Sequence, residues 1–248
     1  MEVHSSAGLG WWHKVIGRVF SINDRHAYLS DLNQQYMENP VVIFGANVLG
    51  RQVKQIFEEN GNVVYGFLDD NKALHGTEVD EISVLGRTDD DGFLKLIGRK
   101  CEAFVALDDI RVHKSVVRML HDVRKVQPVN AVHRTAVIPG SAAIGHGNLI
   151  DMGVLVGAGA SIGNHCIVGA GVVIGGESSL GDFVQVGVGV RVNSNAIIGD
   201  EVFIGSGAII VSGVTIEKGA RVGAGSVVIG PVKAGETVFG NPAQVVKG

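Results

Sequence analysis

From residue 131 onward the hydrophobic pattern repeats in sixes. Stepping by six from Val132 to Val228 meets seventeen residues, and every one is Val, Ile or Leu. Four positions after each, a second column holds only Ala, Val, Cys or Ser, apart from Asn148. Such a period is neither the helical repeat of about 3.6 nor the simple alternation of a strand. It is what short strands joined by tight corners produce. Three hexads close a triangular coil, the aliphatic residue points into the prism, and it stacks on its equivalent one coil on. The small residue beside it fits a crowded wall. Coils of this kind are stable only as a stack, which predicts a parallel β-helix of between five and six turns. Gly directly after the aliphatic position, as at Gly145, Gly157, Gly175 and Gly205, is expected to supply the corner conformations that residues with a Cβ avoid, helped by nearby Asn or Asp.

Residues 40 to 130 follow a different pattern. VVIFGAN (41–47) reads as a buried strand and VLGRQVKQIFEENG as a helix ended by Gly61. VVYGFLDD (63–70) reads as a second strand and CEAFVALDD (101–109) as a third, followed by a helix through VHKSVVRMLHDV. Alternating strands and helices predict a small parallel, Rossmann-like sheet. The first 38 residues belong to neither pattern. Trp12, Val15, Ile16, Val19 and Phe20 fall on one helical face, with Lys14 and Arg18 elsewhere. This amphipathic helix is expected to dock on its own domain or on a neighbouring subunit; a weak membrane-surface contact through residues 11–20 is the alternative. The expected organisation is an extension over 1–38, an α/β domain over 39–130 and an all-β solenoid over 131–248.

Composition narrows the function. Gly is 36 of 248 residues while aromatics reach only 6%, which favours stacked backbone over an aromatic-rich core. A net charge of -4 gives no basic face for nucleic acid, so small-molecule chemistry is expected. Cys101 and Cys166 alone can build neither a disulfide framework nor a zinc site, so no metal is expected and a reducing cytoplasm fits best. No apolar run approaches the length needed to span a bilayer. Gly45, Ala46, Asn47 and Gly50 sit between a strand and a helix, where backbone N–H groups and the helix N-terminus can receive phosphate oxygens. Asp69 and Asp70 close the next strand, placed to accept from a ribose or base. The same residues equally suit a tight turn and a solvated strand end.

The succession of VVIFGANVLGR, GFLDDN, VHRTAVIPGSAAIG, unbroken hexads and the closing VFGNPAQVVKG resembles the left-handed β-helix acyltransferases, and within them the NeuD/PglD-like sugar acetyltransferases. The resemblance covers residues 40–248. It implies a homotrimer that uses acetyl-CoA to acetylate a nucleotide-linked bacterial sugar, with the nucleotide held by residues 39–130. It implies coenzyme contacts at Ser194, Gly205, Ser206, Gly223, Ala224 and Gly225, and at the tail residues Gly240, Asn241 and Pro242. The sequence departs from the family at its chemistry. The position of the family's general-base histidine is Gly176, a later family histidine is replaced by Gln185, and the histidine of the glycine-rich turn by Leu49. Glu177, beside the vacant position, is the expected replacement base. Loss of the histidine favours an amine acceptor, because a neutral amine can attack before losing its proton and a hydroxyl cannot. A silent sugar-nucleotide-binding homologue and an O-acetyltransferase acting on a sialic acid or similar sugar are the alternatives. His133, His146 and His165 are read as surface or structural residues.

Overall fold

The structure, a computed structural model, describes residues 39–246; the amphipathic helix predicted around residues 11–20 lies outside them. The α/β half is built on a fully buried strand, β1 (Val41–Phe44). Around it lie α1 (Val48–Glu59), β2 (Val64–Leu68), β3 (Glu78–Val79), β4 (Ile82–Gly86), α2 (Asp91–Leu94), β5 (Glu102–Val105) and α3 (Ile110–Met119). The sheet order is β3-β4-β2-β1-β5, parallel except for the β3–β4 hairpin. The two-residue β3 gives that hairpin little to announce it: Glu78 is exposed and the turn carries Asp80 and Glu81 at φ 49° and 69° without a glycine, although β4 alternates from exposed Ser83 to buried Val84. Arg51 on α1 holds the tip through two hydrogen bonds to Asp80, at 2.7 and 3.1 Å.

Beyond residue 130 the chain forms a three-sided parallel β-helix. The first wall stacks strands from Ala131–Val132 through Leu149–Ile150, Ile167–Val168, Gln185–Val186 and Phe203–Ile204 to Arg221–Val222, closed by Thr237–Gly240. The second wall runs from Leu155–Val156 to Val227–Val228, and the third from Ala143–Ile144 to Thr215–Ile216. Ile174, Ile204, Ile210 and Ile216 are completely buried in the prism, each side chain contributing about 1.5–3 kcal/mol. The exception to the small-residue column is also explained. Asn148 is fully buried, accepts the Cys166 N–H at 2.7 Å and donates to the Gly163 carbonyl at 2.9 Å. A polar side chain is tolerated there because both ends of its amide are satisfied.

The reason expected for the glycines is corrected by the backbone. Those directly after the aliphatic position do not have positive φ; the left-handed residue comes two places later, as at Gly147, Gly159 and Gly207. Gly157 and Gly175 are required for a different reason. A Cβ on Gly157 would collide with the backbone nitrogen of Gly176, and one on Gly175 with that of Ser194, so the coils stack too closely for a side chain.

The α/β half docks on the early coils. Gln52 donates to Asp151 at 2.6 Å, Asn60 donates to the Val132 carbonyl at 2.8 Å, and Glu59 reaches His133 at 3.3 Å. On the edge between the third and first walls, His113 of α3 lies against His165 and Phe183, with ring centroids 5.8 and 5.6 Å away. Lys114 pairs with Glu201 at 2.7 Å. Both imidazoles are buried, and His113 Nε2 and His165 Nδ1 have no hydrogen-bond partner among the described residues. Burial holds each well below its ordinary value, at about 4.

Candidate active site

The left-handed corner positions mark where side chains matter. On the edge between the first and second walls they are all glycine: Gly153, Gly171, Gly189, Gly207 and Gly225. A residue with a Cβ pays roughly 1–2 kcal/mol for this conformation, yet five solenoid positions carry one: His165, Glu177, Phe183, Asn195 and Glu201. His165, Phe183 and Glu201 form one column, and α3 docks on all three. Glu177 and Asn195 form the other, on the edge between the second and third walls, where both are exposed.

Gly176, Glu177, Ser194 and Asn195 come together on that edge, in two successive coils. The Asn195 N–H donates to the Gly176 carbonyl at 3.0 Å, and the Glu177 N–H to the Ala158 carbonyl at 3.0 Å. The Glu177 carboxylate folds toward the preceding coil, over Gly159, where a Cβ would collide with it. Gly176 itself is not forced by the fold. Its φ is not positive, and a Cβ there would lie 3.0 Å from the Ala158 oxygen, so a neighbour moving by a few tenths of an ångström would admit a side chain. The sequence register already places Ser194 and Asn195 one coil onward from Gly176 and Glu177, and Asn195 stands three residues after Val192, where most coils carry Gly.

The residues expected to meet the coenzyme divide between edges. Ser194 stands beside Glu177, whereas Gly205, Ser206, Gly223, Ala224 and Gly225 line the edge between the first and second walls. The second wall separates the two sets within one protomer. Its outward face carries Leu155, 46% exposed, and the exposed Val137, but also the exposed Arg191; Met152 and Val188 are exposed on the adjoining edge with the first wall. Gly240, Asn241 and Pro242 form the turn of the hairpin that caps the last coil.

In the α/β half, Gly45 and Gly50 make the close turn from β1 into α1. A Cβ on Gly45 would collide with the Ala106 carbonyl oxygen, and one on Gly50 with that of Gly45. Asn47 caps α1, accepting the Gly50 N–H at 2.9 Å and donating to the Ala106 carbonyl at 3.1 Å. Asp69 accepts the N–H groups of Ala46 and Asn71, both at 2.8 Å, and Asp70 accepts from the backbone and hydroxyl of Thr88, both at 3.0 Å. The two aspartates thus close loops within the fold. Beside this turn, Val48, Arg51, Gln52, Lys54, Gln55, Glu58, Asp80 and Glu81 line an open cavity of about 570 Å³. Its cations are already paired, Arg51 with Asp80 at 2.7 Å and Lys54 with Glu58 at 2.9 Å, and with Glu81 the lining carries one more carboxylate than cation.

The sequence matches two family models: a PglD N-terminal domain over residues 40–120 and the bacterial transferase hexapeptide repeat over 141–176 and 195–230. A search of curated protein sequences found no match. Among solved structures, a histidine-substituted perosamine N-acetyltransferase from Caulobacter crescentus, in complex with CoA and GDP-perosamine, is 28% identical; the match covers 85% of this chain and 98% of that one, with a TM-score of 0.78. The acetyltransferase domain of PglB from Neisseria gonorrhoeae is 25% identical over 84% of this chain and 100% of that one, with a TM-score of 0.76. WeeI from Acinetobacter baumannii is also 25% identical over 84% and 99%, with a TM-score of 0.74. An α/β half followed by a left-handed β-helix of hexapeptide repeats defines an acyltransferase. Taken with the PglD-type N-terminal domain, the chain belongs to the NeuD/PglD-like acetyltransferases.

Proposed function

We propose that this protein transfers the acetyl group of acetyl-CoA to the amine of a nucleotide-linked amino sugar destined for a bacterial surface glycan, and that it works as a homotrimer. The observation that carries the reading is the match to perosamine N-acetyltransferase along nearly all of that enzyme, through both halves of the chain. The exposed aliphatic side chains on and beside the second wall support the trimer. A second copy against that wall would cover Leu155, Val137 and Val188, and would bring one protomer's Glu177 edge toward its neighbour's Gly205 and Gly223 edge. The donor would lie in the cleft between them, while the N-terminus of α1, at the Gly45–Gly50 turn, is where the acceptor's diphosphate would lie.

The chemistry follows from what the Gly176 edge retains. The neutral amine attacks the thioester carbonyl carbon, the tetrahedral oxyanion collapses, and the thiolate leaves. The amine's surplus proton passes to the Glu177 carboxylate, and the thiolate regains a proton from solvent. The exposed Ser194 hydroxyl and Asn195 side-chain amide can donate to the oxyanion. Without an imidazole at position 176, an acceptor that attacks while already neutral is favoured over a hydroxyl. Release of free thiol from acetyl-CoA, measured with UDP- and GDP-linked amino sugars and with their hydroxyl counterparts, tests the reading. Turnover with an amino sugar supports it. Nucleotide binding without turnover on any amino sugar would leave the silent-homologue alternative standing.

A further inference from the structure

One rung of the second wall breaks its aliphatic ladder. The outward residues of that wall stack in register as Leu155, Val173, Arg191, Ile209 and Val227, while Val156, Ile174, Val192, Ile210 and Val228 point inward and are buried. Arg191 is exposed, and no carboxylate of the described residues lies within ion-pair distance of it. Residues 152–160, 170–178, 188–196, 206–214 and 224–231 make up the wall and its two edges, and the charged residues among them are Arg191 and Glu177 alone. Glu177 stands on the corner one coil earlier, and its carboxylate folds toward Gly159, away from the coil of Arg191. An exposed arginine on a solvated wall would be ordinary. In the proposed trimer this wall is not solvated.

Three copies joined so that each Glu177 edge meets the next Gly205 edge enclose the three-fold axis between their second walls. Symmetry then puts the three Arg191 side chains at one height, with a layer of Val173 on one side and of Ile209 on the other. Three cations that lose water in an aliphatic channel, with no anion to meet, oppose the assembly that brings them together. One bound anion reverses that. A tetrahedral oxyanion on the axis presents three equivalent oxygens, one to each guanidinium, whose planar fork and weak hydration suit charge-assisted N–H bonds to such oxygens. We infer that the Arg191 side chains of the three protomers form an axial site for a single phosphate or sulfate ion, and that this anion licenses the trimer. The inference rests on the trimer reading above and names the ligand which that assembly needs. Because the donor cleft lies between neighbouring protomers, acetyl transfer depends on the anion through assembly and not through contact with the reacting atoms.

Sedimentation velocity of the full-length protein, with chloride exchanged stepwise for inorganic phosphate at constant ionic strength, tests this together with calorimetry of phosphate binding. The trimer association constant is expected to rise about tenfold for each tenfold rise in phosphate above its dissociation constant, as one anion per trimer requires. Arg191→Leu, which completes the aliphatic ladder, is expected to form a trimer whose stability ignores phosphate, and to bind one phosphate fewer per three chains. A trimer of the unaltered protein that is indifferent to phosphate overturns the inference. So does the same phosphate dependence in Arg191→Leu, which would be a general salt effect. Loss of one phosphate per chain in the variant also overturns it, because the arginine would then serve a site within one protomer, as does a variant that no longer assembles, which would make Arg191 a direct subunit contact. In these failures the trimer reading stands. A protein that stays monomeric at every phosphate concentration removes the trimer reading, and this inference with it.

Discussion

The buried histidine pair between α3 and the solenoid makes stability depend on pH in a defined window. His113 and His165 are 4% and 6% exposed, and each titrates at about 4 in the folded protein against 6.5 when unperturbed. For both, desolvation is the largest cause; the Leu107 carbonyl partly offsets it at His113, while at His165 the other imidazole adds to it and Asp182 opposes it. Phe183, with Lys114 above its ring at 5.1 Å, and His146 also face the pair, and no carboxylate of the described residues hydrogen-bonds either imidazole. The sign follows. Above pH 6.5 both states hold neutral imidazoles and the pair is silent. As pH falls below 6.5 the unfolded chain takes up protons that the folded protein refuses, so stability is lost progressively until about pH 4. At pH 5 the loss is about 2 kcal/mol per histidine, and about 4 kcal/mol for the pair. Urea unfolding followed by circular dichroism at pH 7.5, 6.5, 5.5 and 5.0 measures it. His113→Phe, which keeps the edge-on ring contact with Phe183, should remove about half of the slope. A midpoint that does not move between pH 7.5 and 5.0, or a variant that keeps the full slope, refutes the reasoning.

Three further outcomes follow from the solenoid. Gly176→His should be accommodated with a small shift at Ala158 and raise turnover, up to the 10²-fold or more typical of a positioned general base; Glu177→Gln should lower turnover by a comparable factor, and thiol release unchanged in both removes this edge from the reaction. Leu155→Asp replaces an exposed aliphatic side chain of the second wall by a charge and should convert a trimer to monomers in sedimentation velocity, whereas an intact trimer would show that the subunits meet elsewhere. Ile174→Ala opens a hole in the fully buried column and should cost about 2–5 kcal/mol in urea unfolding; a loss below about 1 kcal/mol would mean that the coils close the gap.

The solenoid was legible because each hexad repeats one physical demand. An inward aliphatic and a small neighbour recur at fixed spacing, so the pattern at Ile162 or Ile198 is set by the coil above and the coil below. The strands and helices at Val41–Phe44, Val48–Glu59 and Ile110–Met119 were legible for the same local reason. The β3–β4 hairpin was not, because β3 is only two residues long, its turn has no glycine, and Arg51 from another element holds the tip. The partnership of His113 with His165 also depends on how two halves pack, and no spacing in the sequence encodes it. The role of corner glycines was misassigned because collision with the next coil and left-handed φ both select glycine. Only the backbone separates Gly175, excluded from having a side chain by Ser194, from Gly159, which has positive φ.

That separation bears on where the chemistry sits. The wall positions are fixed by the stack, since changing one disturbs the coil above and below. The left-handed corner positions face outward and are constrained only by their own backbone, so a side chain there carries a conformational cost with no packing return unless something outside the prism meets it. At His165, Phe183 and Glu201 that something is α3. At Glu177 and Asn195 no other element of the described residues arrives, and both remain exposed beside a glycine that the fold does not require. A cost retained at two stacked positions, next to an unforced vacancy, is best accounted for by a ligand and a neighbouring subunit. On this argument the Asn195→Gly variant should be at least as stable as the unaltered protein in urea while losing acetyl transfer. A variant that is both less stable and fully active would mean that the side chain serves the solenoid instead.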